Sequence, residues 1–378
     1  MTPPTLSPEA ARRLLLGAAG LGSVHGVGES AVPGLLARLG CIQLDPIDRC
    51  GANADLVVAA RVDGVHRGAA HRSTRGVAFE HFAKERCLID ARHWPAYRQR
   101  AGEPGWWRSA ERLARVLEDT IAEVLAELRE RGAAATPSEL TDRGDVPPLD
   151  WHGWRGTGKV TALALEVLWT RCAVVASGRD ARGRRVYDVP ERALPEWADA
   201  PFDGHFEEVQ LVERVRTAGL LARATGPAWS VLASARTDGT VDRLVRDGRL
   251  CAVSIGGRPY LRVPDVAEPP ADDGRLRVLG PLDPLVWDRA LVRFAFDFDY
   301  VWEVYKPAAK RIYGYYTCPM LHRGALVGRV EARRDGSCLV VERVDGAADP
   351  DALRDALERL AALNGCDMVV AAGDARRV

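Results

Sequence analysis

A helix-like segment followed by two short strand-like runs around a basic or glycine-rich tip occurs twice in the middle of this chain. Lys159 to Thr170 has helical spacing, and Cys172 to Ala176 and Arg185 to Val189 read as strands. Between them Ser177 to Arg184 is a charged turn, so that Arg179, Arg182, Arg184 and Arg185 crowd one tip. Farther on, Gly204 to Ala218, Pro227 to Ala235 and Gly239 to Asp247 read as three helices. Two strands follow, Leu250 to Ile255 and Tyr260 to Val263, around a Gly256-Gly257-Arg258 turn. Short helices plus a two-stranded wing are the parts of a winged helix, a helix-turn-helix variant whose last helix usually enters the major groove. Arg243 and Arg246 lie on that last helix. The other use of such a module is packing or dimerisation.

Charge has to be read locally. The 378 residues hold 52 lysines plus arginines and 52 aspartates plus glutamates, so no global basic charge announces nucleic acid, and any DNA contact must come from patches. The length suits two or three domains. Eight cysteines are scattered singly, with no C-x-x-C and no paired histidine, which predicts reduced, mostly buried thiols and no metal site. There is no 18-residue apolar run and no signal-peptide pattern, so a soluble, cytoplasmic protein is expected.

The remaining segments predict an α+β chain. Ser7-Pro8-Glu9 starts a helix running to about Ala19, Val32 to Leu39 is a short apolar helix, and Asn53 to Arg61 is again helical. Phe79 to Ile89 and His93 to Arg100 form an aromatic, basic segment whose simplest use is packing. Ser109 to Arg131 carries a regular apolar stripe and reads as one scaffold helix. Thr136-Pro137-Ser138-Glu139 is a capping signature. Gly153 to Lys159 satisfies G-x-x-x-x-G-K, yet Val160 stands where a phosphate-binding loop needs Ser or Thr, and no buried strand precedes it; a nucleotide site is not expected. Pro264 to Gly274 is the best linker. Beyond it Arg275 to Leu279, Ile312 to Cys318, Ala325 to Ala332 and Ser337 to Val344 read as strands, Asp349-Pro350 opens a helix to Leu363, and Met368 to Ala371 is a candidate last strand. The tip Pro319 to Gly324 has an apolar part and a basic part, a composition suited either to a DNA minor groove or to an ordinary exposed turn. Four regions result: 1–135, 136–200, 201–270 and a β-rich 271–378.

The stretch with chemistry in it is Gly40 to Ile47. It alternates apolar and polar up to Pro46, so Gln43 and Asp45 project from one face if it is extended. An amide that donates and accepts, beside a carboxylate that only accepts, can hold and polarise one water. The competing reading makes Asp45 a helix N-cap with Pro46 at the first helical position.

Several stretches resemble the AlkZ/YcaQ family of bacterial DNA glycosylases, which act on alkylated and crosslinked DNA. The longest runs from Leu279-Gly280-Pro281-Leu282-Asp283-Pro284-Leu285-Val286-Trp287-Asp288-Arg289 through Phe298-Asp299-Tyr300, Glu303-Val304-Tyr305 and Pro307 to Arg311. It ends with Tyr313 to Tyr316 and Leu326 to Val330. The others are Phe79 to Phe82 with Trp94-Pro95, and Arg185 to Arg192. The resemblance implies tandem winged-helix motifs on a helical scaffold with a small C-terminal antiparallel β-barrel. It implies an active site of the form Gln-Φ-Gln or, in the YcaQ-like branch, Gln-Φ-Asp, where Φ is apolar; Gln43-Leu44-Asp45 matches the second form, with Asp45 capping a helix and still presenting its carboxylate. The branch follows this motif with a histidine-rich basic stretch, whereas here Asp48 to Asn53 retains only Arg49, a departure that bears on substrate more than on reaction. The expected activity is monofunctional hydrolysis of the N-glycosidic bond of N7-alkylated purines in double-stranded DNA. Bulky adducts and interstrand crosslinks are included, and neither metal nor nucleotide cofactor takes part. Gln43 and Asp45 are the expected catalytic residues. Arg49, Arg311, Leu321, His322, Arg323 and Arg329 are the expected DNA contacts, on a monomer. The alternative is a non-catalytic winged-helix regulator, which predicts a dimer on a palindromic site and a strongly basic recognition helix; the two arginines there and the lack of an obvious dimer helix argue against it.

Overall fold

The computed structural model describes residues 3–102, 115–147, 158–266, 268–269 and 271–372. These form a mixed α+β chain that divides into two compact units, one of residues 1–73, 83–87 and 210–378, the other of 74–82 and 88–209.

The first unit opens with the helix Pro8–Ala19. Ser7 caps it, its Oγ accepting from the Ala10 N–H at 3.2 Å, and Gly20 ends it at φ +63°. The helix Val32–Leu39 follows, and Gly40, at φ +72°, turns the chain into the short buried strand Cys41–Gln43. The next helix is Asn53–Ala59.

Later in this unit, the helix Thr240–Arg246 precedes an antiparallel hairpin of Cys251–Ile255 with Arg258–Arg262, and Leu221–Ala222 adds a third strand. Gly256 and Gly257 both have positive φ, which a tight two-residue hairpin turn of matching twist requires. The helix expected over Pro227 to Ala235 is instead two single turns, Pro227–Trp229 and Ser234–Arg236. Val231 between them sits at φ +59°, outside the helical region, which breaks the run.

The β-rich end is a five-stranded sheet in the order Arg277–Val278, Thr317–His322, Ala325–Asp335, Cys338–Gly346, Met368–Ala371. It differs from the expected antiparallel barrel. The helix Pro350–Leu363, capped by Asp349, returns the chain so that the last strand runs parallel to its neighbour; it packs against three of the five strands. Pairing between described strands leaves the sheet open, and register shifts at 320/321 and 331/332 bend it. The expected strand over Ile312 to Cys318 begins only at Thr317. The amides before it are taken by carboxylates: Ile312 and Tyr313 N–H donate to Glu303, and Tyr315 and Tyr316 N–H to Glu331. Those donors are spent before a ladder can use them.

In the second unit the scaffold helix is Glu118–Glu130, shorter than the expected Ser109 to Arg131. Residues 103–114 lie outside the described residues, and 115–117 are non-helical with Leu117 exposed. Ile121, Val124 and Leu128 form its buried stripe, beside the helix Val160–Thr170. The aromatic segment is packing: Phe79 meets Trp94 and Tyr97 edge-on at 5.2 and 5.1 Å. The capping box at Thr136 forms, with Thr136 N–H donating to Glu139 at 2.8 Å. Residues 153–157 of the G-x-x-x-x-G-K run lie outside the described residues; Lys159 is 2.9 Å from both Asp142 and Asp145. The hairpin Val175–Arg179 with Arg185–Asp188 is present, but its arginines are largely spoken for. Arg179 and Arg185 pair with the buried Glu80, and Arg184 pairs with Asp180. Among the described residues no helix is long and apolar enough to cross a membrane.

Candidate active site and nucleic-acid interface

Gln43 closes a buried strand, and both ends of the residue are held. Its main-chain carbonyl accepts from Asn53 Nδ2 at 2.8 Å, and its side-chain Oε1 accepts from Lys84 Nζ at 2.9 Å. Lys84 lies in the tight link Ala83–Glu85, where Ala83 N–H donates to the Glu85 carbonyl, and its ammonium faces the Trp287 ring at 5.1 Å. Burial pushes the Lys84 pKa down to about 8.

Two residues on, Asp45 is half-buried. Its Oδ1 accepts from the Ile47 N–H at 2.8 Å, a two-residue side-chain turn, which leaves Oδ2 for an outside donor. No helix starts here: residues 44–52 are non-helical, so the N-cap reading of Asp45 is corrected. Pro46 is the middle residue of that turn and does not open a helix. Burial raises the Asp45 carboxyl above its usual value, with the Ile47 N–H pulling the other way. The Tyr316 phenol is close enough to feel that carboxylate; burial first, and Asp45 among its neighbours, raise its pKa.

The wall behind Gln43 comes from the far end of the chain. Asn53, fully buried, also accepts from the Leu282 N–H at 3.0 Å through Oδ1. Gly280 must be glycine, because a Cβ there would overlap Asn53 Oδ1. The same loop is anchored by Arg61, whose guanidinium forks onto Asp283 at 2.8 and 2.9 Å, both side chains fully buried. Arg61 also donates to the carbonyls of Ala19 and Val57. Trp287 lines a cavity of about 790 Å³ with Trp229, Tyr260 and Arg289 among its other walls.

The six expected DNA contacts separate. Arg49 is part-exposed, 3.6 Å from Glu342 and 5.8 Å from the Tyr315 ring centroid; Arg311 faces that same ring at 4.7 Å. Arg323 is exposed at φ +48° and, with Gly324, forms the hairpin tip; His322 Nε2 is 3.0 Å from the Gly274 carbonyl oxygen. Leu321 and Arg329 leave the surface set. Leu321 is 3% exposed within the cluster that holds Leu15, Leu16 and Leu279, because Pro319 to His322 belong to the strand and not to the tip. Arg329 is 7% exposed, stacked on Tyr313 at 3.7 Å and Phe298 at 4.7 Å, and it donates to the Asp299 carbonyl.

Sequence reasoning missed Lys84, Asn53 and Arg61. Lys84 had a signal: it is one of only four lysines in an arginine-rich chain. Asn53 and Arg61 had none, since the partners that tie them to the 280–283 loop, Leu282 and Asp283, lie more than 200 residues away.

A family model described as DNA glycosylase AlkZ-like matches residues 36–363. Among solved structures the chain is similar to Streptomyces sahachiroi DNA glycosylase AlkZ, at TM-score 0.57 and 15% identity, over 97% of this chain and 99% of that one. At that identity the likeness is one of fold.

Proposed function

Since the chain belongs to the AlkZ-like DNA glycosylase family, we propose that it hydrolyses the N-glycosidic bond of N7-alkylated purines in duplex DNA, bulky adducts and interstrand crosslinks included. Alkylation at N7 makes the base cationic and a good leaving group, so departure needs little acid help. The sugar passes through an oxocarbenium-like state that a nearby carboxylate stabilises and a held water captures. Asp45 stabilises the cation and takes the proton of the water; Gln43 positions that water. The observation that carries the reading is the pair itself. An anchored amide stands two residues from a half-buried carboxylate with one oxygen uncommitted. The cavity lined by Trp287, whose ring faces Lys84, has room for a bulky adduct, and access from the minor groove without full extrusion of the base is taken over from the family resemblance. The four regions 1–135, 136–200, 201–270 and 271–378, with winged-helix modules in the first three, are the recognition scaffold of this proposal, on a monomer acting as a monofunctional enzyme. Arg49, Arg311, His322 and Arg323 are its DNA contacts.

Release of N7-methylguanine from duplex DNA, followed by unhooking of an N7-linked interstrand crosslink, tests it. Asp45→Asn and Gln43→Ala are expected to lower the single-turnover rate by about 10²-fold or more, with DNA affinity unchanged. Variants that keep the wild-type rate would remove both residues from the chemistry.

A further inference from the structure

We propose that Lys84 is the positioning residue that orients Gln43: its ammonium claims the amide oxygen, so Gln43 meets the bound water with its NH2 group. This rests on the glycosylase reading above.

The chemistry of the two groups decides the orientation. An ammonium has three donors and no acceptor, so the Gln43 atom facing it at 2.9 Å has to be oxygen. An amide whose neighbours leave its direction open can turn over; this one cannot while Lys84 is charged. Asn53 holds the main chain of the same residue, so only the side-chain torsions remain, and Lys84 sets them. A water at the site then accepts from Gln43 Nε2, donates one proton to Asp45, and keeps a lone pair for the anomeric carbon. Were the amide reversed, the water would donate one proton to Gln43 and one to Asp45, and it would lose the Nε2–H that fixes the direction of its lone pairs toward the anomeric carbon.

The choice of residue supports this. Of the four lysines, Lys159 pairs with Asp142 and Asp145, and Lys306 with Glu303. Lys84 is 7% exposed, and its hydrogen-bond partner is an amide. The titratable and charged groups around it are Cys87, Cys41, Arg214, Arg289 and Glu85, while the Trp287 ring covers one side. Burial brings its pKa to about 8. Above that value the neutral amine accepts as well as donates, the amide is free to reverse, and the rate falls.

Two measurements test the proposal. The first is single-turnover base release against pH, with DNA affinity measured alongside, for wild type, Lys84→Met and Lys84→Arg. Lys84→Met is expected to lose about 10–100-fold in rate with affinity unchanged, the scale of a misplaced reacting group. Lys84→Arg, donor-only and always charged, is expected to recover most of the rate and to lack the alkaline fall near pH 8. Lys84→Met with the wild-type rate and the wild-type alkaline limb would overturn the proposal. The second needs no activity. With 13Cε-labelled lysine the four signals can be titrated in wild type and in Gln43→Leu. Removal of the acceptor should move the Lys84 midpoint down; an unmoved midpoint overturns the Lys84–Gln43 contact. A moved midpoint in a protein that releases no base would instead defeat the glycosylase reading alone.

Discussion

Asp45 sits in a turn where its own neighbour's N–H and partial burial oppose each other, and burial is the larger of the two. A carboxylate that must be ionised to stabilise a cation, with a pKa raised above 3.8, imposes an acid limb on the rate. Base release is therefore expected to fall, as pH is lowered, at a pH above that value, and the limb should be absent from the residual rate of Asp45→Asn; a profile flat on the acid side would contradict the role. Asn53 acts on the same site from behind. Asn53→Ala leaves the buried Gln43 carbonyl without its partner, a loss of about 1–3 kcal/mol, and removes the acceptor of the part-buried Leu282 N–H as well. Denaturant unfolding and the single-turnover rate should both register it. At this scale the Gln-Leu-Asp spacing was readable and the role of Asp-Pro as a cap was not. A cap needs a helix after it, and whether residues 46–52 coil depends on contacts that the dipeptide does not contain.

The loop before the central strands shows how an element is set by side chains instead of a ladder. Glu303, itself buried, receives the amides of Ile312, Tyr313 and Gly314 and the ammonium of Lys306. Burial alone would raise its pKa, yet Lys306 and these amides hold it at about 2, below the ordinary 4.5. A carboxyl depressed in the folded state contributes stability that is complete above its unfolded pKa and lost as pH falls through the folded one. Unfolding free energy is thus expected to drop between about pH 4.5 and 2 in wild type. Glu303→Gln should be less stable at neutral pH and lack that drop. The loop at 279–289 depends on Arg61 in the same way. Asp283→Ala strands a guanidinium in the core and should cost about 3–5 kcal/mol by denaturant unfolding. Helix ends were legible because Ser7, Asp349 and the box at Thr136 to Glu139 act within one turn. The Pro227 to Ala235 helix and the Ile312 strand were misread because a backbone torsion and two distant carboxylates outweigh local periodicity.

For the molecule as a whole, balanced charge means that DNA must be held by a few placed cations, not by a general field. Arg323 is exposed, and Arg49 and Arg311 are part-exposed, Arg49 lying 3.6 Å from Glu342, whereas Arg179, Arg184 and Arg185 are held in internal ion pairs. Replacing any of the three by Gln should weaken binding to all sequences and reduce the salt dependence of log K by about one unit for each phosphate that is no longer neutralised. An arginine whose replacement leaves the slope unchanged does not touch a phosphate. Arg329→Gln, by contrast, should act through stability, since it lies stacked between Tyr313 and Phe298. The sequence alone determined the α+β character, the helix starts, the absence of an apolar run that could span a membrane, and the Gln-Leu-Asp motif with its family resemblance. All of these are set by neighbours within a few residues or by composition. Tertiary structure alone decided that Lys84 faces Gln43, that Asn53 meets the 280–283 loop, that Arg61 pairs with Asp283, and that Leu321 and Arg329 lie inside. Those pairings span tens to hundreds of residues, and a hydrogen bond at 2.9 Å or a buried face leaves no periodic trace in the order of the chain.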